Sequence, residues 1–164
     1  MRLEHMRNIS TNSTTEQIYS GTFFRFGLKV DRGKKDKSNI TPTICLQHIK
    51  DGSGKELCDH MWFNYTAEFC KCGQLKLGDI LIFKSKPQKY HKGDWNQKTD
   101  IKLKRPRSVQ LASKHEFIPM PLQKKAIVGY IMSITDHREV GTYSKAYHDW
   151  AFENPTPKNL LNAL

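Results

Sequence analysis

The sequence predicts a mainly β protein, a small closed five-stranded barrel with a short inter-strand helix and a mixed C-terminal extension. Three observations lead there. Five segments carry aromatic and β-branched residues at near-alternate positions, the pattern of half-buried strands. Clusters of turn formers separate them at short intervals. One stretch between the third and fourth segments changes to a helical period. Strands this short leave unpaired edges unless the sheet closes, and closure into a barrel removes them.

The elements follow in order. Residues 18–26 (IYSGTFFRF) alternate well enough for a first strand, and residues 31–39 (DRGKKDKSN) form a polar loop. A second strand covers 41–49, with Ile44, Leu46 and His48 on one face, and ends at Asp51-Gly52-Ser53-Gly54, a strong hairpin turn. The third strand is 56–64. In Phe23-Phe24 and in Trp62-Phe63 the two rings must point to opposite sides of a strand, so one of each pair lies outside the core. Residues 66–73 give one or two turns of helix stopped by Gly73. Leu77-Gly78-Asp79 turns the chain into a fourth strand, 79–90, and residues 91–97 loop into a fifth, 100–111. Ile44, Leu46, Ile80, Ile82 and Leu103 are expected inside the barrel.

The C-terminal third breaks at Pro119 and Pro121. Residues 126–134 (AIVGYIMSI) are the most apolar stretch and are expected to form a strand, in the sheet or in a dimer interface; residues 143–152 read as a helix, and 159–164 as a terminal turn. The expected organisation is a flexible arm at 1–17, a barrel at 18–112, and an extension at 113–164 packed on the barrel or in an oligomer interface. Residues 1–20 hold no apolar targeting segment, and no run approaches the roughly 20 apolar residues that cross a bilayer. A cytoplasmic setting, in a bacterial or host cell, and reduced cysteines are the expectation.

Charge supplies the functional expectation. With 27 Lys and Arg against 16 Asp and Glu, the 164-residue chain carries +11 at pH 7, which calls for a polyanionic partner. Between residues 86 and 107 there are eight basic residues against two acidic ones; between 25 and 37, six against two. The candidate nucleic-acid-binding residues are Arg25, Lys29, Lys34, Lys35, Trp62, Lys86, Lys89, Tyr90, Lys92, Trp95, Lys98, Lys102, Lys104, Arg105 and Arg107. The cations would follow a phosphate backbone, while Tyr90 and Trp95, flanking the basic loop, would stack on unpaired bases.

The ordered segments 21–27 (GTFFRFG), 59–64 (DHMWFN), 77–83 (LGDILIF), 90–93 (YHKG) and 103–106 (LKRP) resemble a family of small uncharacterised proteins from phages and bacterial mobile elements. Members look like oligonucleotide/oligosaccharide-binding (OB) barrels, and the resemblance covers about residues 19–112. It implies an OB-like barrel in which a nucleic-acid ligand crosses the face around strands two and three. It transfers no catalytic or binding residue.

Other chemistry finds little support. Of Cys45, Cys58, Cys70 and Cys72, only Cys70-Lys71-Cys72 are close in sequence, one residue short of the usual zinc-knuckle spacer; no metal or cofactor is expected. His60 beside Asp59 reads as an ordinary strand or surface histidine. The Asp136-His137-Arg138-Glu139 group and His148-Asp149 are the only local carboxylate and imidazole cluster that a metal nuclease could use, and a polar turn explains them as well. No nucleotide-binding loop, zinc-protease or nucleophile-elbow motif occurs. The expected function is non-catalytic binding of single-stranded DNA or RNA by a basic, aromatic-lined barrel face. The alternatives are a protein-interaction module, such as a phage-encoded inhibitor of a host factor, and a small metal-dependent nuclease. A host or phage protein and a homodimer are further partners considered; a membrane is not.

Overall fold

A computed structural model describes residues 15–30, 39–92, 98–135 and 141–156, with the side chains of 90–92 and 98–101 outside that description. The elements run β1 (Gln17–Val30), β2 (Ile40–Asp51), β3 (Glu56–Asn64), α1 (Ala67–Cys70), β4 (Ile80–Lys92), β5 (Lys98–Leu111), α2 (Lys124–Ile134) and α3 (Gly141–Glu153). The five strands form one sheet in the order β3-β2-β1-β4-β5, with β1–β4 and β4–β5 antiparallel.

The expected closed barrel is not formed. The sheet is open, with β3 and β5 at its two ends, so the OB-like fold implied by the resemblance does not hold. The chemistry of β5 explains why its free edge resists pairing. Pro106 lacks an N–H, and Arg105 and Ser108 take left-handed backbone conformations with φ of 45° and 49°. Proline, lysine and bulges are the devices by which natural edge strands avoid further pairing.

A second correction concerns residues 126–134, expected as a strand and found as helix α2. Every residue from Ala126 to Met132 is buried, so the segment has no polar face to reveal its period, and an apolar run of that kind does not discriminate strand from helix. The other described elements lie close to their expected places, including β3 and the helix around 143–152, while most of the expected arm and polar loop and all of the expected turn at 159–164 lie outside the described residues.

Contact density divides the described chain into two compact units built from alternating pieces. One comprises the described residues within 1–24, 45–63 and 77–113; the other those within 25–44, 64–76 and 114–164. In the first, Tyr19, Phe63 and Phe83 share a core, with Phe63 and Phe83 edge-on at 5.6 Å. The β4 phase differs from expectation: Leu81 and Phe83 are buried, whereas Ile80 and Ile82 are 46% and 39% exposed. Leu46 and Leu103 here, and Ile44 in the second unit, are buried, but against an open sheet and not inside a barrel. On β2 the expected face breaks at His48, whose φ of 52° shifts the alternation so that Ile49 is buried and His48 exposed. The turn into β4 is pinned by reciprocal bonds, Phe23 N–H to the Asp79 carbonyl at 2.7 Å and Gly78 N–H to the Phe23 carbonyl at 3.0 Å.

In the second unit Phe26, Tyr65, Tyr130 and Tyr147 make a chain of ring contacts. Helices α2 and α3 cross at Gly129, where a side chain would run into the Tyr143 carbonyl and the Tyr147 Cβ.

Candidate functional site

The outer face of β1, β4 and β5 is where the sequence-predicted cations meet. Register pairs Lys84 with Arg107, Lys86 with Lys104 and Gln88 with Lys102. Paired residues share a face, and all six of these are exposed. From Ile82↔Gln110 to Lys86↔Lys104, β4 advances two residues per step and β5 three. The extra β5 residue in each step is taken up where Ser108 and Arg105 adopt positive φ. The buried Ser85 hydroxyl donates to the Lys104 carbonyl at 2.7 Å, which satisfies that carbonyl beside the second irregularity. The two bulges thus re-aim Arg107 and Lys104 onto one face as a row. Without them, the strict two-residue alternation of a strand would send successive members to opposite sides.

That row sets like charges directly opposite each other, at Lys84↔Arg107 and Lys86↔Lys104. Such pairs cost roughly 0.2–1 kcal/mol each relative to neutral ones. One carboxylate offsets part of it: Arg107 Nε donates to Glu16 Oε1 at 2.7 Å. Among the described residues, Lys84, Lys86 and Lys104 form no ion pair.

Other predicted site residues lie elsewhere. Lys89 is exposed but alternates onto the opposite side of β4 from Lys86. Arg105 is exposed at a bulge. Arg25 and Lys29 are exposed on the part of β1 that belongs to the second unit. Trp62 is 42% exposed on β3, the other end of the strand order from β5. Tyr90, Lys92 and Lys98 occupy register positions in the β4–β5 ladder, with side chains outside the described set. Lys34, Lys35 and Trp95 lie outside the described residues, as does the Asp136 to Glu139 group.

The binding mode expected from sequence is therefore corrected. There is no closed barrel and no barrel face across strands two and three. Phe23, Phe26, Phe63 and Phe83 are core residues with 8% exposure or less. A basic, aromatic-lined barrel face for single-stranded DNA or RNA is not what these residues build, because the sheet does not close and most of the described rings are buried.

All four cysteines are free thiols, and burial pushes the Cys70 thiol up to about 12, far from a reactive thiolate. The buried Tyr65 hydroxyl beside it is likewise held well above its ordinary range by desolvation. Among the described residues no cluster of three His, Cys, Asp or Glu could hold a metal ion. His60 Nδ1 sits 3.3 Å from Asp59, both exposed, and its hydrogen bond lowers the Asp59 carboxyl. His48 pairs with Glu56 at 2.8 Å across the β2–β3 hairpin. Sequence reasoning missed Lys84 and Glu16, because their place in the row depends on register rather than on local charge density. No helix of the described chain is long and apolar enough to cross a membrane.

The chain matches no protein-family model, no curated protein and no solved structure, so the resemblance to a family from phages and mobile elements is without support.

Proposed function

We propose that this protein is a binding module that docks an acidic polypeptide on the outer face of β4 and β5. The observation that carries the proposal is the pair of like-charged cross-strand neighbours, Lys84↔Arg107 and Lys86↔Lys104. Folding alone gains nothing from that arrangement, and an external carboxylate would relieve it. Glu16 provides an internal example, a carboxylate already seated on Arg107. A strand-shaped row of cations matches carboxylates carried at the two-residue repeat of an extended peptide. Arg107 adds the planar fork that takes a carboxylate in two bonds.

The test is a titration with fluorescein-labelled oligoglutamate and, separately, a single-stranded oligonucleotide of equal charge, each at low and moderate salt. Oligoglutamate is expected to bind, more weakly as salt rises, because exposed charges are screened beyond roughly 8–10 Å. Replacing Lys84, Lys86 and Lys104 together by Ala should abolish that binding without lowering the melting temperature, since it also removes both like-charge pairs. Glu16→Gln should tighten it severalfold by freeing Arg107. Binding of the oligonucleotide without binding of oligoglutamate, or affinity indifferent to the triple replacement, would overturn the proposal.

A further inference from the structure

The cation row does not end in a polar surface. Register places Ile18 opposite Lys84, and Ser20 opposite Ile82, with Thr22 opposite Ile80. Ile82 is thus the diagonal neighbour of Ile18 across β1 and β4, Ile80 follows two residues before it on β4, and all three lie on the same outer face at 52% (Ile18), 46% (Ile80) and 39% (Ile82) exposure. Single exposed apolar side chains are ordinary, but a contiguous group rimmed by charge marks an interaction site. The cation row begins beside them: Ile18 lies opposite Lys84, Ile82 precedes Lys84 by two residues on β4, and the row runs on through Arg107 to Lys86.

We infer that the occupant of this face is an extended segment of a partner protein with an apolar half and an acidic half. Its apolar side chains cover Ile18, Ile80 and Ile82, and its carboxylates continue onto Lys84, Arg107 and Lys86. This rests on the docking proposal above and specifies the ligand for it. A second copy of this chain is disfavoured as occupant by charge, since two faces bearing the same cation row would repel within a chain already at +11. The acidic half gives register and on-rate, and the apolar half adds burial that salt does not screen. Glu16 lies at the junction, on Arg107, so the incoming carboxylate displaces it.

Two labelled probes separate the possibilities: oligoglutamate, and a peptide of equal charge in which leucine alternating with serine precedes the glutamates. The unmutated protein is expected to bind the mixed peptide about tenfold more tightly, equivalent to about 1.4 kcal/mol. Replacing Ile80 and Ile82 by Thr, which keeps the β-branched shape suited to a strand, should erase that advantage and leave oligoglutamate binding unchanged. A melting curve for the variant checks its fold, and Ile18→Thr alone, on the neighbouring strand, gives an independent variant with a smaller loss. Equal affinities in the unmutated protein, or an advantage that survives the threonines, would overturn the inference and leave the docking proposal standing. Failure of both probes to bind would remove both. Self-association in sedimentation that the threonines abolish would assign the apolar group to a second copy instead.

Discussion

At the scale of single residues, Gly129 and Gly73 mark where backbone meets backbone, against the Tyr143 and Ile118 carbonyls. Gly73 has a φ of 79°, and a Cβ there would stand 2.7 Å from the Ile118 carbonyl oxygen. That same oxygen accepts the Gln74 N–H at 2.8 Å, so it has little freedom to move aside. Gly73→Ala is expected to destabilise by at least about 2 kcal/mol, from left-handed strain plus overpacking, read as a lower urea midpoint with an unchanged slope. Gly73 was legible as a helix stop; its close approach to Ile118 was not, because the two are far apart in sequence. The buried acids give a pH dependence. Cys70 and Tyr65 have ordinary values of 9.0 and 10.0, and burial raises both in the folded chain. Between the ordinary and the raised values the folded state holds more protons than the unfolded one, so stability falls as pH rises. The contribution is fully present below about pH 9 and is lost as pH climbs toward about 12. Urea midpoints measured from neutral to alkaline pH should decline over that window, and less steeply in Cys70→Ala when each protein is compared with its own neutral value; a flat profile would show that these groups are solvated.

At the scale of elements, β5 carries the most information. Its two bulges convert a run of mixed-facing cations into a single row, and they place Lys86 and Lys104 opposite each other. Lys104→Glu creates an opposite-charge cross-strand pair in their place. Stability is expected to rise by about 0.2–1 kcal/mol, while affinity for oligoglutamate drops. A rise in stability coupled to a loss of binding is the signature of a face kept unfavourable for a ligand; a surface that merely aids solubility would show the first change without the second. The β4 phase is a related lesson. Leu81 and Phe83 face inward and Ile80 and Ile82 outward, yet in the run Ile80-Leu81-Ile82-Phe83 every residue is apolar. Alternation was absent, so the sequence could not say which face was buried. On β2 the slip at His48 comes from a left-handed residue that no alternation pattern announces. Helix α2 shows the same limit, since burial on all sides removes the polar stripe that would betray its period.

At the scale of the molecule, the strand order β3-β2-β1-β4-β5 makes β1 central and leaves β5 paired on one side. Amides of β1 between residues 18 and 22, paired with β4, are expected to exchange with solvent at least about tenfold more slowly than those of β5 between 102 and 110. Protection of β5 as strong as that of β1 would mean that its outer edge is covered in solution.

The sequence by itself determined the β-rich composition, the positions of most strands, the helix near residues 143–152, the +11 charge and its concentration between residues 86 and 107. Those features are local: alternation, turn chemistry and charge density are all written within a few neighbouring residues. Tertiary structure decided whether the sheet closes, which face of β4 is buried, that residues 124–134 are helical, and that Lys84, Arg107, Lys86 and Lys104 form one row beside exposed isoleucines. Each of these depends on register between distant segments or on burial from more than one side. In a strand whose side-chain period is two, a single bulged residue is enough to exchange the faces.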